Sequence, residues 1–300
     1  MRFVLTEEQR DFASALESLL SAADTVAVAR AWADRDSEPG QKLWTRLADQ
    51  GLTVLATEAT PVEICVAFEA LGRYAVPGPW VESAAYLPVL LGREVDDIAT
   101  VAVPPHVPYA LDADVAGTVL LVDGRSVTRA EVGEVRRSVD PARRLFDVTP
   151  GGGFEAGASA PSSTTDPFDM AVLATSAQLL GLGEHLLDAS VAYVKQRRQF
   201  GREIGSYQAI KHRLADVRIA LDFVRPLVFG AALGDVPASA AKVACGDAAY
   251  LAARAALQVH GAVGYTRELD LSLWILKVRA LITAWGTPAY HRANVLEAIS

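Results

Sequence analysis

The sequence predicts an α+β protein that is mainly helical, with an N-terminal helical domain, a shortened middle β domain and a C-terminal four-helix bundle. Apolar residues first recur at helical intervals, short β-branched runs separated by Pro and Gly follow from residue 98, and long helical patterns return from residue 168. The chain has 300 residues, 51% of them hydrophobic, which is enough for a large buried core. The expected domains are residues 1–95, 96–165 and 166–300.

The N-terminal region begins with a helix signal. Thr6 and Gln9 have the spacing of a capping box, so the first helix is expected to begin near Glu7. A second helix is expected around Trp44. A third is expected over residues 62–75, where two prolines follow and end it.

The middle region has the texture of a small β domain. The strand-like runs are IATVAV, GTVLLVDGRSV and RRLFDVTP, with Asp123-Gly124 as a hairpin turn. Residues 151–167 are rich in Gly, Ala, Ser and Thr, and they predict a linker.

The last region predicts an antiparallel helical bundle. Residues 170–197 form one long apolar pattern, and an apolar stripe over residues 210–228 predicts a second helix with a kink at Pro226. Residues 238–260 are dense in alanine and predict a closely packed third helix that a glycine ends. A fourth helix is expected from Leu269.

Composition excludes several classes of function. The net charge of −8 leaves no broad basic face for nucleic acid, so any anion site must be local. Cys65 and Cys245 lack the spacing of a zinc site or a disulfide framework, and we expect two buried thiols and no metal. The N-terminus has no apolar signal core, and no uninterrupted apolar run reaches the ~18 residues of a membrane span. A cytoplasmic protein is expected.

The segment QRRQFG, residues 196–201, has two interpretations. Arg197 and Arg198 fall near a helix C-terminus, where cations offset exposed carbonyls and a glycine ends the helix. Alternatively, they form an arginine fork for phosphate, with Phe200 as a flat wall against a ring and Gly201 allowing close approach. The spacing does not decide between them.

The segment LQVHGAVGYT, residues 257–266, is the second unusual stretch. It places Gln258 and His260 at the end of the alanine-rich helix, before a turn that contains Gly261. Taken alone, this pattern is typical of a helix C-cap, and His260 is better interpreted as a packed histidine than as a catalyst.

Both segments, in this order, resemble the acyl-CoA dehydrogenase family. The matching stretches are LTEEQRDF, AFEALGRYAVPGP, YVKQRRQFGREIGSYQAIKHRLADV and QVHGAVGYTRELDLSLWILKVRAL, which extend over nearly the whole chain. The resemblance implies a flavoprotein that oxidises the Cα–Cβ bond of an acyl-CoA thioester. In that family a carboxylate removes the α proton, and a hydride passes from the β carbon to N5 of FAD.

The resemblance also implies which residues hold the cofactor. Arg197 would bind the FAD pyrophosphate, Phe200 would pack against the cofactor, and Gln258 with the Gly261 turn would hold the ADP portion, with Gln208 close by. In the family these groups reach the flavin of a neighbouring subunit. The anion for the arginines would then be a dinucleotide diphosphate at an interface.

The family's catalytic carboxylate has no counterpart here. The usual glutamate precedes a Gly-Thr after the last helix, where this chain has Trp285, which cannot abstract a proton. The alternative family position, near the start of the long bundle helix, is occupied by Ala171. Asp169 lies two residues away, about 200° around a helix of 3.6 residues per turn, so it is expected to face elsewhere or to cap the helix. No catalytic residue is therefore assigned.

The middle domain departs from the family as well. It lacks the Thr-Glu-Pro and Gly-Ser signatures that cover the flavin ring, and the Trp-Ile-Thr-type strand. Ala262 stands where a second glycine is usual, and the glycine-rich loop after the second helix is reduced to residues 58–63. The half of the site that one subunit builds for itself is missing, while the half donated to a neighbour is kept.

These features resemble the short subunits of two-subunit acyl-CoA dehydrogenases that act on bulky steroid-derived thioesters. The expected partner is a full-length dehydrogenase subunit in a heterotetramer, which supplies the glutamate, with an electron-transfer acceptor downstream. Two alternatives remain open at this point. One is a self-sufficient homo-oligomer with an atypical base such as Asp166 or Asp169, and the other is a flavin-free scaffold or binding subunit.

Overall fold

The structure is a computed structural model that describes residues 4–95, 97–124, 126–154 and 166–300. Helices come first in the chain. They are α1 (Glu7–Ser21), α2 (Thr25–Ala33), α3 (Glu38–Ala48), α4 (Leu55–Glu58), α5 (Pro61–Arg73) and, after a π-helical segment at Glu82–Tyr86, α6 (Leu87–Leu91).

Capping interactions set the first helix boundaries. The Thr6 side chain accepts from the backbone N–H of Gln9, while the Gln9 side chain accepts from the backbone N–H of Thr6. The Gln9 amide also donates to Glu63 at 2.9 Å, which ties the start of α1 to the start of α5. The expected start at Glu7 is therefore confirmed.

Five strands form one sheet in the order β1-β3-β4-β5-β2. The strands are β1 (Ala99–Ala102), β2 (Ala110–Leu111), β3 (Thr118–Asp123), β4 (Ser126–Arg136) and β5 (Leu145–Gly153). Strands β1 and β3 are parallel, and the other pairs are antiparallel. Asp123 pairs with Ser126 at the end of the β3–β4 hairpin, and Gly124 in its turn has φ of 58°, so the hairpin predicted at Asp123-Gly124 is confirmed.

The C-terminal region is a helical bundle. Its helices are α7 (Pro167–Gln196), α8 (Gln208–Ala232), α9 (Ala238–His260), α10 (Ser272–Leu281) and α11 (Pro288–Ile299), and a two-stranded hairpin of β6 (Arg198–Gln199) and β7 (Arg202–Glu203) separates α7 from α8. The Asp166 side chain caps α7 by accepting from the backbone N–H of Phe168 at 2.7 Å.

Helices α5 and α7 cross with their backbones in close approach. A methyl group built on Gly72 would overlap the backbone carbonyl of Gln178, and one built on Gly181 would overlap the carbonyl oxygen of Glu69. Next to this crossing, Arg225 of α8 binds Glu69 and Glu184 at 2.7 and 3.2 Å, and Arg218 binds Glu184 at 2.7 Å. Small residues and paired charges thus join α5, α7 and α8.

The predicted fold class is confirmed, with differences in individual elements. Sequence periodicity missed α2 and α11, and α8 continues through Pro226 without a break. The linker predicted over residues 151–167 is wrong at its start, because Gly153 pairs with Thr128 at the end of β5. Residues 155–165 of that predicted linker lie outside the described residues.

Among the described helices, α7 is long and apolar enough to cross a membrane. In its most apolar window, 94% of the residues are buried inside the protein, so this helix forms the centre of the bundle. Helices α1 and α2 meet the same test only as a pair bent by 65°.

Candidate functional site

The end of α7 presents Arg197 and Arg198 to solvent. Arg197 leaves the helix in an extended conformation, with its backbone N–H bonded to the Tyr193 carbonyl at 2.9 Å. Its own carbonyl accepts from the backbone N–H of Ile204, which closes the short hairpin. None of the salt bridges formed between described residues includes Arg197 or Arg198. These two guanidiniums are exposed donors.

Phe200 occupies the tip of the β6–β7 hairpin. The pairing of Gln199 with Arg202 leaves Phe200 and Gly201 as a two-residue turn, with φ of 51° and 83°. Such a turn requires positive φ at both positions, which costs a non-glycine residue about 1–2 kcal/mol. The Phe200 side chain is nevertheless 91% exposed, so its contacts within the described part of this chain do not offset the conformational free energy of the positive φ.

The start of α8 adjoins this hairpin. Arg202 of β7 lies with its guanidinium carbon 3.9 Å from the centre of the Tyr207 ring, an arrangement that fixes the hairpin against the helix start. Gln208 is the first residue of α8 and its side chain is exposed.

The end of α9 carries the remaining predicted ligands. Gln258 is exposed in the last turn, and Gly261 ends the helix with φ of 65° and ψ of −141°. No atom lies within 4 Å of the position where a Cβ of Gly261 would stand, so the backbone at this turn is open to a close-lying molecule. His260 is buried against the Tyr193 ring at 4.1 Å, as expected for a packed histidine.

The stacked rings of Tyr193 and His260 bring the C-terminal ends of α7 and α9 to the same end of the bundle. Gln258 and Gly261 line a cavity of about 430 Å³ there, together with Arg213 from the second turn of α8. We call this end of the bundle the arginine corner. Of the five predicted cofactor residues, Gln258 and Gly261 line this cavity. Arg197, Phe200 and Gln208 belong to the end of α7, the hairpin and the start of α8, which lie at the same end of the bundle.

Arg213 and Arg254 line the same cavity, and sequence reasoning did not select them. Neither forms a salt bridge in the described part of the chain, so the cavity has two guanidiniums available for an anion. A sequence signal did exist for Arg254, since it lies four residues before Gln258 and therefore on the same helix face.

Trp285 lies at the opposite end of the bundle. Its ring is 2% exposed and packs against Tyr86 at 4.8 Å and Phe168 at 5.7 Å between ring centres. Its φ of 55° places it in the left-handed region, and its carbonyl pairs with His291 Nε2 at 2.8 Å. Burial lowers the pKa of His291 to about 4, so the neutral imidazole donates from Nε2 to this carbonyl.

The two aspartates considered as an atypical base lie at the start of α7, next to Phe168, which contacts Trp285. Asp166 is the N-cap of α7 and accepts from two backbone N–H groups. Asp169 lines a different cavity with Asp166 and Asp235, and burial followed by repulsion from Asp166 raises its pKa. The helix-cap role considered for Asp169 therefore belongs to Asp166.

Helix α7 separates the two ends of the bundle. Phe168, which contacts Trp285, is its second residue, and Arg197 follows its last residue. With 30 residues in the helix and a rise of ~1.5 Å per residue, this separation is about 44 Å. The arginine corner and the Trp285 region of one chain are therefore too far apart to hold one cofactor molecule.

Comparison with known proteins agrees with this architecture. Residues 162–300 match the family model "Acyl-CoA dehydrogenase, C-terminal domain". The chain is 30% identical over 240 residues to acyl-CoA dehydrogenase IpdE2 of Mycolicibacterium smegmatis, covering 75% of each chain.

Two solved structures share the fold. The ChsE4-ChsE5 complex from Mycobacterium tuberculosis superposes with a TM-score of 0.79 at 19% identity, covering 100% of this chain and 99% of that one. The "Tcur3481-Tcur3483 steroid ACAD G363A variant" gives a TM-score of 0.79 at 18% identity and covers 98% of both chains. From the matched segments, the relative and the shared architecture, we conclude that the chain belongs to the acyl-CoA dehydrogenase family of FAD-dependent oxidoreductases.

Proposed function

We propose that this chain is the shorter subunit of a two-subunit acyl-CoA dehydrogenase and that its arginine corner binds the FAD held in a partner's active site. The observation that carries the proposal is the separation of about 44 Å along α7 between the corner and Trp285. A corner that cannot reach the active-site position of its own chain is available only to another chain.

The corner fits a dinucleotide diphosphate in three respects. Arg197 and Arg198 are exposed and free of salt bridges with described residues, and Arg213 and Arg254 add two more free guanidiniums. Guanidiniums bind phosphate oxygens through paired, charge-assisted hydrogen bonds. The open backbone at Gly261 allows close approach, and the exposed Phe200 ring offers an apolar wall.

Each residue then has a binding role and none has a catalytic one. Arg197 binds the pyrophosphate, Phe200 packs against the cofactor, and Gln258 with the Gly261 backbone holds the ADP portion. Gln208 lies beside them at the start of α8. FAD, when bound, supplies the hydride-accepting chemistry and passes electrons to a separate acceptor.

A partner subunit supplies the carboxylate that removes the α proton. The position for that group in this chain is Trp285, whose buried indole cannot serve as a base. Asp166 is already engaged as the N-cap of α7, and Asp169 lines a separate cavity with two other aspartates, so neither is proposed as the base of a self-sufficient enzyme. A scaffold in which Arg197 and Arg198 pair with carboxylates is not supported either, because neither arginine forms a salt bridge with a described residue.

The substrate proposed is a bulky acyl-CoA thioester, of steroid-derived size, which undergoes α,β-dehydrogenation. Similarity to the Tcur3481-Tcur3483 steroid ACAD supports this size class, and similarity to the ChsE4-ChsE5 complex supports a mixed assembly.

Replacing Arg197 with alanine tests the proposal. The change removes a charge-assisted contact worth about 1.5–3 kcal/mol, so we expect the copurified complex to retain FAD at least about tenfold more weakly. The measurement is flavin absorbance per complex during titration with FAD. Arg46→Ala, at an exposed position on α3, is the matched control and leaves FAD binding unchanged.

The same titration on Arg254→Met examines the cavity beside Gln258. We expect weaker FAD binding here too, because the guanidinium faces the cavity and forms no salt bridge with described residues. Unchanged FAD binding in Arg197→Ala, in a complex that still assembles, contradicts the proposed role of the corner.

A further inference from the structure

A groove with a volume of about 640 Å³ runs between α7 and α8. Its walls are formed by side chains of residues 187–196 in α7 and of residues 214–218 in α8. The described residues that line it differ from those that line the cavity of the arginine corner. Gln196, at one end of the groove, is followed directly by Arg197, so the groove is continuous with the arginine corner.

The groove has an apolar floor and small residues on both walls. Leu187 and Leu214 are buried, and Val191 is half-buried. Ala192 on α7 and Ala215 on α8 are exposed, and their side chains are short enough for another protein to approach closely. Helices pack by placing the side-chain ridge of one into the groove of another, so a groove between two helices accepts a third helix that has an apolar face.

The charged side chains along the groove are paired at one end and unpaired at the other. Asp188 pairs with Arg73 at 2.7 Å, and Arg218 pairs with Glu184 at 2.7 Å. Lys195, in the last turn of α7, forms no salt bridge with a described residue. The groove therefore carries a free cation at the end that adjoins the arginine corner.

Lys211 adds a second cation at this end. It lies four residues before Ala215 and therefore on the same face of α8. It is exposed, and it is absent from the salt bridges that described residues form. Because a short hairpin joins the end of α7 to the start of α8, Lys195 and Lys211 are both close to the arginine corner.

The cations in this part of the chain outnumber those that FAD can neutralise. Residues 195–213 contain six Lys or Arg residues and one acidic residue, Glu203, in a chain whose net charge is −8. The diphosphate of FAD carries about two negative charges, so cations remain beside it without a counter-charge. A protein surface that covers them must supply carboxylates, because an unpaired charge is costly to bury.

We infer that a helix of the partner subunit packs in this groove, with its apolar face against the floor and with Asp or Glu residues beside Lys195 and Lys211. The inference rests on the function proposed above, because a partner that holds FAD at the arginine corner lies against the adjoining end of the groove. The charges at the far end are already paired within this chain. The partner helix therefore carries its acidic residues at one end of its apolar face.

Two variants that fill the groove test the inference. Ala192→Trp and Ala215→Trp each place a large ring where the partner helix would lie, at exposed positions that leave the core of this chain unchanged. The chain is purified with the subunit that copurifies, the flavin is removed, and subunit association is measured by sedimentation velocity over a dilution series. We expect each variant to weaken association about tenfold or more. Ala293→Trp, at an exposed position on α11, is the matched control and should associate as the unmodified chain does.

The salt dependence of association tests the acidic end of the partner helix. The double variant Lys195→Met/Lys211→Met should weaken association at low NaCl concentration, and its association should change less than that of the unmodified chain as NaCl is raised, because ion pairs are screened by salt. Arg46→Met, at an exposed position on α3, is the control and should keep the salt dependence of the unmodified chain.

Unchanged association of both tryptophan variants would overturn the inference, as would an unchanged salt dependence of the lysine variant. Self-association of this chain alone that Ala192→Trp abolishes would also overturn it, since the occupant would then be a second copy.

Titration with FAD, at concentrations where the complexes are assembled, separates this result from the proposed function. Arg197→Ala should bind FAD more weakly in that titration, whereas Ala192→Trp should bind it as the unmodified complex does. Unchanged association of the tryptophan variants with weaker FAD binding of Arg197→Ala would overturn the groove inference alone. If no subunit copurifies with the chain, the proposed function and the groove inference are both wrong.

Discussion

Phe200 has two properties that do not stabilise an isolated chain. Its backbone is in the left-handed region, and its ring is 91% exposed. The sequence QRRQFG identified this residue and its arginine neighbours, but not the hairpin turn that holds it, because the turn depends on the pairing of Gln199 with Arg202. Strain kept together with exposure is typical of a binding position.

Sequence reasoning did not select the two arginines that line the cavity of the arginine corner, and the reason is geometric. Arg213 and Arg254 belong to different helices, and only the packing of α8 against α9 places both in one cavity. A pattern along one chain segment predicts a local motif, whereas it carries no information on which side chains meet across the fold.

His185 gives a prediction on pH at the residue scale. Its ring stacks on Trp274 at 4.0 Å, and burial, with the nearby charge of Arg73, lowers its pKa to about 4. The unfolded chain takes up this proton near pH 6.5 and the folded chain only near pH 4, so stability is lost between these values as the pH falls. We expect His185→Phe, which keeps the stacking, to abolish this loss.

The measurement is the free energy of unfolding in urea at a series of pH values. The difference between His185→Phe and the unmodified chain should grow in favour of the variant below pH 6.5 and level off near pH 4. Using the difference removes the contribution of Asp112, whose pKa burial raises to about 6 and which therefore acts in the opposite direction. Parallel pH profiles for the two proteins contradict the prediction.

At the scale of elements, the sequence predicted α1 and α9 well because capping residues and glycine mark their ends. It missed α2, a helix of nine residues whose N-cap is the single side chain of Asp24. Strand β5 extended into a glycine-rich stretch because pairing with β4, rather than local preference, determines where it ends. Local signals located helices, and tertiary pairing determined the strands.

The crossing of α5 and α7 gives a prediction at this scale. Gly181→Ala would force a methyl group into the carbonyl of Glu69, and backbone cannot rotate away as a side chain would. We expect destabilisation of at least about 1–3 kcal/mol, measured by urea unfolding. Gly246→Ala on α9 is the matched control, because the nearest atom to its new methyl group is Ile282 Cγ1 at 4.0 Å. The control should be as stable as the unmodified chain or slightly more so, since alanine favours helix. Equal stabilities of the two variants would contradict the close approach.

At the scale of the whole molecule, the order of helical region, small sheet and bundle was predictable from changes in periodicity along the chain. The placement of the arginine corner and Trp285 at opposite ends of α7 was not, because it depends on the parallel arrangement of α7 and α9. Because the two regions lie at opposite ends of α7, the motif residues of the arginine corner are available to a cofactor held by another chain.

The number of flavins provides the corresponding prediction. If the corner serves only a partner's site, the chain purified alone should be colourless, and FAD bound during reconstitution should rise with added partner until one flavin is bound per partner chain. Excess of this chain should add none. The measurement is flavin absorbance per complex after gel filtration. A yellow preparation of the chain alone would contradict the prediction.

The exposed tip at Phe200 also has a thermodynamic consequence. If Phe200 of one subunit contacts a nucleotide that is bound in another subunit, subunit association and cofactor binding are coupled, and each strengthens the other by the same factor. Saturating FAD should therefore strengthen the association of the two kinds of subunit by the same factor by which assembly strengthens FAD binding. Dilution of the subunits should likewise weaken FAD binding, and removal of FAD should weaken subunit association.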